Sequence, residues 1–219
     1  VTRPRRLVLV VGTGTEIGKT WVAARLLEAW RADRISVAAR KPAQSGEPGS
    51  APSDAEVLGA ASGEDPAVVC LAARSYSVAL APPMAADALG LATVALADLV
   101  AELRWPDPPV DVGLVETAGG LRSPQAHDGD ARELAAALRP DVVVLVAHAG
   151  LGTINAVRLC TEALVDTGLP VRVVLNRYDA ADALHKANRT WLTERDQLDV
   201  TPGTPDGLAA LAARLAAPR

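Results

Sequence analysis

The sequence predicts an α/β fold: a doubly wound, mainly parallel sheet with helices on both faces. Three observations predict it. Short runs rich in Val and Leu recur along the chain, as expected of strands buried on both faces. Segments of helical pattern separate them, so strand and helix alternate. The first apolar run, Leu7 to Val11, passes directly into Gly12-Thr13-Gly14-Thr15-Glu16-Ile17-Gly18-Lys19-Thr20 and then into a helix. A buried strand, a glycine-rich turn and a helix start are the context in which a chain binds phosphate.

The elements follow in order. A strand is predicted over Arg6–Gly12 and a helix over Lys19–Ala32. The next strand, Ile35–Arg40, is ended by Pro42, which cannot donate to a ladder. Pro and Gly gather at 46–52, 82–83 and 106–109, which read as loops. Helices follow over Ser53–Ala61 and Val94–Leu103. The stretch from 44 to 92 is the least regular, and is expected to form a cap or substrate loop near the strand ends. Strand Val110–Glu116 runs into Thr117-Ala118-Gly119-Gly120. Then come helix Asp130–Leu138, strand Asp141–Ala147, helix Thr153–Asp166, strand Val171–Asn176 and helix Ala181–Glu194. A weaker strand, Gln197–Val200, and helix Asp206–Ala216 complete the pattern. With no internal repeat or interdomain linker, residues 1–219 read as one domain with ample core.

Composition narrows the function. Hydrophobic residues make up 49% and charged residues 22%, which suits a globular chain rather than a disordered one. A net charge of -4 gives no reason to expect nucleic acid as a partner. No apolar run approaches the ~18 residues that span a membrane, and the start does not read as a signal peptide. Cys70 and Cys160 lie far apart without metal-ligand spacing, as small core residues in a reducing cytosol would. A cytoplasmic protein is expected. Of 22 Lys and Arg residues only Lys19, Lys41 and Lys186 are lysines, so solubility is left to Arg. A lysine kept in that background is one whose compact ammonium is needed.

The motifs supply the chemistry. Glycines let backbone N–H groups curl around phosphate oxygens. Lys19 brings a mobile charge to the β- and γ-phosphates, and Thr20 offers a hydroxyl to Mg²⁺. The spacing departs from the usual Gly, four residues, Gly-Lys-Ser/Thr. Counting back from Gly18 gives Thr13; the available glycine is Gly12, so the loop is one residue longer. Lys41-Pro42-Ala43-Gln44-Ser45-Gly46 follows the second strand on the same side of the sheet. Lys41 and Ser45 can hold a small anion beside the γ-phosphate; the plainer alternative is an exposed strand-end lysine and a polar turn. Ser53-Asp54 is a helix cap or a metal carboxylate. Glu116, at a strand end before a glycine turn, is a Mg²⁺ ligand candidate, and Thr20, Asp54 and Glu116 together would supply hard oxygen ligands to MgATP. Gly152-Thr153-Ile154-Asn155 opens a helix whose free N–H groups can bind a carboxylate, or which Thr153 simply caps. Asn176, ending the fifth strand, is a nucleobase contact or a turn residue.

Taken together, GTGTEIGKT, KPAQSG, SDA, APPMAA, VETAGG, LGTIN and Asn176 resemble dethiobiotin synthetase, the ATP-dependent ligase family of biotin synthesis. The resemblance covers most of the chain in order and implies a P-loop NTPase-like fold. It implies that CO₂ adds to an amine of 7,8-diaminononanoate, that the carbamate attacks the ATP γ-phosphate, and that the second amine closes the ureido ring. It places Gly14, Thr15, Glu16, Ile17, Gly18, Lys19 and Thr20 on the nucleotide, with Glu116, Gly119, Asn176 and Pro202. It places Lys41, Ser45 and Gly119 on the substrate, with Lys19, Lys41 and Ser45 catalytic and Thr20, Asp54 and Glu116 around Mg²⁺. It implies a homodimer in which Gly152, Thr153 and Asn155 receive the substrate carboxylate across the subunit interface. Lys41→Gln is then expected to spare ATP binding and sharply reduce product.

Three departures stand out. Thr117 replaces the family's usual glycine; it is strained if φ is positive there, and otherwise harmless or a narrowing of the substrate site. Arg122 and His127 lie in a segment that varies among relatives. The adenine-side C-terminal region matches weakly, and a broadened nucleotide choice is a consequence to test. Two other readings stay open: a related amidoligase or substrate-shifted paralogue, motivated by Thr117, and a MinD/ParA-type nucleotide-switch ATPase. The early loop lacks that type's signature lysine, and the KPAQSG turn also argues against it.

Overall fold

The computed structural model describes residues 2–47, 49 and 52–217. Among them six strands form one parallel sheet: β1 (Arg6–Gly12), β2 (Val37–Arg40), β3 (Val112–Glu116), β4 (Val142–His148), β5 (Val171–Asn176) and β6 (Val200–Pro202). Their order is β6-β5-β4-β1-β3-β2. From β1 the chain winds first to the β2 edge, then returns through β3 and crosses to β4. The direction of winding therefore reverses around β1, where open α/β sheets bind ligands beyond their strand ends.

Helices cover both faces. They are α1 (Lys19–Ala32), α2 (Asp54–Ser62), α3 (Pro66–Val69), α4 (Pro82–Ala88), α5 (Leu96–Glu102), α6 (Ala131–Leu138), α7 (Thr153–Leu164), α8 (Ala183–Thr190) and α9 (Pro205–Ala216). The two-residue period of a strand divides the core. Val8 and Val10 of β1 pack with Leu26, Leu27 and Trp30 of α1, Leu58 of α2 and Leu211 of α9. Leu7, Leu9 and Val11 face Leu134 of α6 and Val157 of α7 on the other side. Buried Trp30, in the last turn of α1, donates from Nε1 to Ala212 O at 2.8 Å, which pins that end of α1 to α9.

The predicted elements are present with several shifts. The second strand begins at Val37 rather than Ile35. The sixth covers Val200–Pro202 rather than Gln197–Val200, because Gln197 takes φ 53 and cannot continue a strand. The Ala181–Glu194 helix starts at Ala183, where Asp182 accepts from the N–H groups of Leu184 and His185. It ends at Thr190, and a wider π turn follows over Trp191–Arg195. Pro82-Pro83 is not a loop but opens α4: proline is tolerated in a first turn, whose N–H groups have no helical partner. Residues 48, 50 and 51 of the predicted 46–52 loop lie outside the described residues. The irregular centre otherwise folds over the β2 side, with Gln44–Ser45 pairing in parallel with Ser75–Tyr76. Among the described residues no helix is long and apolar enough to cross a membrane.

Candidate active site

The loop after β1 is built from its own sterics. A Cβ on Gly12 would stand 2.9 Å from Ile17 Cδ1 and from Lys19 Cδ, so the long loop needs glycine at its first corner. Gly18 takes φ 86, and a Cβ there would meet Asn176 Nδ2 at 2.1 Å. Glu16 adopts φ 57, a left-handed conformation uncommon for a non-glycine residue. Among the described residues, none of the N–H groups of residues 14–18 donates to a backbone carbonyl. They form a ready cradle for anionic oxygen at the start of α1.

Two side chains beyond the loop hold it. Asn176 donates from Nδ2 to Ile17 O at 2.8 Å, and Arg177 from Nη2 to Glu16 O at 3.3 Å. Arg177 is itself left-handed, with φ 54. The end of β5 thus braces the loop from below. Lys19 folds back over it, 3.1 Å from Gly14 O. Burial lowers the Lys19 pKa from the ordinary lysine value, and the nearby Lys41 charge lowers it further, against Glu116 and Asp54.

The second lysine sits differently. Lys41 Nζ lies 2.6 Å from Glu116 Oε1, 2.7 Å from Asp54 Oδ2 and 3.3 Å from Thr117 O. Thr20 Oγ1 lies 2.8 Å from Asp54 Oδ1 and 2.9 Å from Glu116 Oε1; its one proton can serve only one of them at a time. Four elements converge here: α1 brings Thr20, the end of β2 Lys41, the start of α2 Asp54, and the end of β3 Glu116. Burial opposes the Lys41 charge, yet Glu116 and Asp54 raise its pKa above the ordinary lysine range. Burial likewise opposes the Asp54 charge, and Lys41 with Thr20 holds its carboxyl low. For fully buried Glu116 burial wins and the pKa rises despite Lys41. Its Oε2 is buried without a hydrogen-bond partner. A carboxylate short of positive charge, with an unused oxygen beside a second carboxylate and a hydroxyl, fits a small hard divalent cation.

These groups open onto a cavity of about 1010 Å³ lined by Thr15, Glu16, Gly18, Lys19, Thr20, Lys41, Ser45, Asp54, Glu116 and Gly119, among others. A second cavity, about 950 Å³, lies at the opposite end of the sheet, near Asp141 and Pro170 where strands begin. Ligand sites of open α/β sheets lie at the carboxyl ends, which favours the first. Among the described residues lining it, Asn176, Pro202, Gly152, Thr153 and Asn155 are absent. Asn176 packs behind the loop, and Pro202 pairs in register with Leu175. The α7 start stands apart from the cavity; Thr153 Oγ1 is buried without a partner and Leu151 is 92% exposed.

Comparison with known proteins decides the family. The AAA_26 family model, an AAA domain, matches residues 6–203. The ATP-dependent dethiobiotin synthetase BioD of Anaeromyxobacter dehalogenans is 41% identical over 206 residues, 92% of each chain. That of Rhodococcus jostii is 38% identical over 209 residues, 94% of this chain and 89% of its own. The chain belongs to the dethiobiotin synthetase family. A plasmid partition protein from Borrelia burgdorferi shares the fold, with TM-score 0.58 over 97% of this chain and 99% of its own, at 11% identity. That likeness carries architecture alone. As a dethiobiotin synthetase family member the chain is an ATP-dependent ligase, and the nucleotide-switch reading is not favoured.

The Thr117 departure resolves geometrically. Thr117 lies outside the left-handed region, and it is Gly119 that takes φ 63. Thr117 is fully buried, its N–H donates to Val10 O at 3.1 Å, and its hydroxyl lies 3.5 Å from the same carbonyl. It neither strains the turn nor faces the cavity. The expected outcome for Lys41→Gln also changes. Removing the ammonium strips Glu116 of its counter-charge, so such a change disturbs the fold of the site as well as its chemistry.

Sequence reasoning missed two supports, Gln125 and Arg177. Gln125 is 1% exposed and clamps the Glu116 turn: its Oε1 accepts from Ala118 N at 3.0 Å and its Nε2 donates to Ala118 O at 2.8 Å and Ser123 O at 3.1 Å. Arg177 lines the cavity, as does the stretch from Ala79 to Pro82, within the region expected to form a cap or substrate loop. The only signal for Gln125 was a polar residue flanked by Pro124 and Ala126 in a segment set aside as variable.

Proposed function

We propose that this chain is an ATP-dependent dethiobiotin synthetase acting as one ligase domain on 7,8-diaminononanoate, CO₂ and ATP. The observation that supports it most is the meeting of a phosphate cradle with Lys41, bound to Asp54 and Glu116, in one cavity. In this reading the cradle from Gly14 to Gly18 holds the nucleotide phosphates, with Lys19 moving from Gly14 O to the γ-phosphate. The substrate carbamate lies over Lys41, Ser45 and Gly119. Its oxygen attacks the γ-phosphorus; the new O–P bond forms as the bond to the ADP oxygen breaks. The second amine then attacks the carbamoyl carbon, phosphate leaves with the bonding electrons, and the amine gives up its proton to the departing phosphate or to water as the ureido ring closes. Little acid–base machinery is needed, so fixed positive charge and positioning supply the rate. Thr20, Asp54 and Glu116 would hold Mg²⁺, which neutralises phosphate charge when bound.

Adenine is assigned to the region of Asn176 and Pro202, which the strand register brings together: a Cβ on Gly203 would lie 2.8 Å from Asn176 Cα. Gly152, Thr153 and Asn155 are assigned to the carboxylate of a substrate bound mainly by a second copy. The exposed Leu151 is what such a homodimer contact would cover. Free Cys70 and Cys160, with thiol pKa values pushed up by burial to about 12 and about 11, suit a reducing cytoplasm.

The test is an omission series read by mass spectrometry. Dethiobiotin should form only when MgATP, bicarbonate and 7,8-diaminononanoate are all present, with one phosphate released per ring. Nucleotide binding without product under those conditions would contradict the reading.

A further inference from the structure

We propose that Gln44 is a positioning residue that couples the substrate turn to the metal-side carboxylate. The inference rests on the Mg²⁺ reading above and goes beyond it. Gln44 is 9% exposed, and both ends of its amide are engaged. Its Oε1 accepts from Ala55 N at 2.9 Å, and its Nε2 donates to Ser75 Oγ at 2.9 Å. The orientation follows from chemistry: reversed, the NH₂ group would face the Ala55 N–H, donor against donor.

The location gives the bond its consequence. Ala55 follows Asp54 in the first turn of α2, where N–H groups have no helical partner. The Ser53 hydroxyl accepts the N–H of Glu56, and Gln44 takes that of Ala55. Lys41 and Gln44 belong to one turn, so that turn grips α2 twice: at the Asp54 carboxylate through Lys41, and one residue on through Gln44. Core packing of Leu58 holds the body of α2, and the two grips set the position of its first turn. The second grip orients the backbone beside Asp54, and with it the approach of Asp54 Oδ1 to Thr20 Oγ1 at 2.8 Å. Ser75 sets the amide plane through the short pair of Gln44–Ser45 with Ser75–Tyr76. Since Ser45 is next in the chain, substrate contact and carboxylate position share one frame.

The test compares ADP affinity by calorimetry with Mg²⁺ and with EDTA. Gln44→Met keeps the length and removes both bonds; Gln44→Glu keeps an acceptor for Ala55 N, with the Ser75 hydroxyl turned to donate. Gln44→Met should lose about tenfold or more in affinity with Mg²⁺, the scale for losing support behind a metal ligand. Its affinity in EDTA should match the unaltered protein, and Gln44→Glu should recover most of the Mg²⁺-dependent gain. Should Gln44→Met not fold, Ser75→Ala carries the same test, with a smaller loss in the same direction. Unaltered Mg²⁺ dependence in Gln44→Met, or equal losses with and without Mg²⁺ in both Gln44 variants, would overturn the coupling. If the unaltered protein gains nothing from Mg²⁺, the metal reading falls and the coupling with it, while the omission series above still judges the ligase reading separately.

Discussion

The site holds two lysines in opposite ways. Lys19 rests on one carbonyl, Gly14 O, and burial lowers its pKa. Lys41 is gripped by Glu116, Asp54 and Thr117 O, and its pKa is raised. The difference teaches what each position is for. A lysine held by one neutral acceptor moves to an arriving phosphate at little cost, and supplies charge where charge develops. One locked between carboxylates is part of the frame that sets those carboxylates. Both side chains are buried and both charges face one cavity; in the proposed function one serves the ligand and the other first serves the fold.

The largest expected effect breaks the frame. Lys41→Met should destabilise the ligand-free protein by about 3–5 kcal/mol, because it takes from fully buried Glu116 and its neighbour Asp54 the ammonium that both bond. Chemical denaturation measures this; a loss under about 1 kcal/mol would be the scale of an exposed ion pair and would remove Lys41 from the frame. Lys19→Met should do the reverse. Its denaturation midpoint should barely move, while turnover falls by about 10²–10³, the scale for losing a preorganised donor at developing charge. Equal stability losses for the two variants would erase the distinction.

Smaller changes sharpen it. Thr117 contributes its carbonyl to the Lys41 frame, and its backbone is not left-handed. Thr117→Gly should therefore destabilise, by about 1 kcal/mol, through added freedom in the unfolded chain. A gain in stability would show strain the geometry lacks. The smallest effect lies at the outer support of the Lys41 side. His127 Nε2 stands 3.0 Å from Asp87 Oδ1 at the end of α4, whose Pro82 lines the cavity. The Asp87 hydrogen bond raises the His127 pKa. The resulting stability is fully present below the ordinary histidine value of about 6.5 and is lost as pH rises through the raised value. The melting-temperature difference between the unaltered protein and His127→Gln should shrink across that window. A difference independent of pH would assign the pair a neutral role.

How much of this could be read from the chain differs between the same two regions. The Lys19 loop was legible because its chemistry is contiguous: strand, glycines, lysine and threonine are neighbours in sequence. Lys41, Asp54 and Glu116 were each visible as candidates at strand or helix ends, but their meeting depends on β3 lying between β1 and β2, which no local pattern encodes. Gln44 and Gln125 were not visible as supports, since a glutamine that bonds backbone looks in sequence like any surface amide. The α4 start was misread for a related reason. Pro82-Pro83 marks a loop or a helix opening equally well, and only the packing of Ala85 and Ala86 decides. Thr117 was flagged from the resemblance, but its conformation had to come from the backbone.

The measurement that tests the contrast most directly uses the scarcity of lysine. Only Lys19, Lys41 and Lys186 are present, so reductive methylation near pH 8 followed by peptide mass spectrometry reports each ε-amine separately. The account predicts that Lys19 is methylated in the ligand-free protein and protected by MgATP. Lys186 should react whether or not nucleotide is present, and Lys41 should stay unmodified until the fold is opened by denaturant. Methylation of Lys41 at the Lys19 rate in the native protein, or Lys19 reactivity indifferent to MgATP, would contradict it.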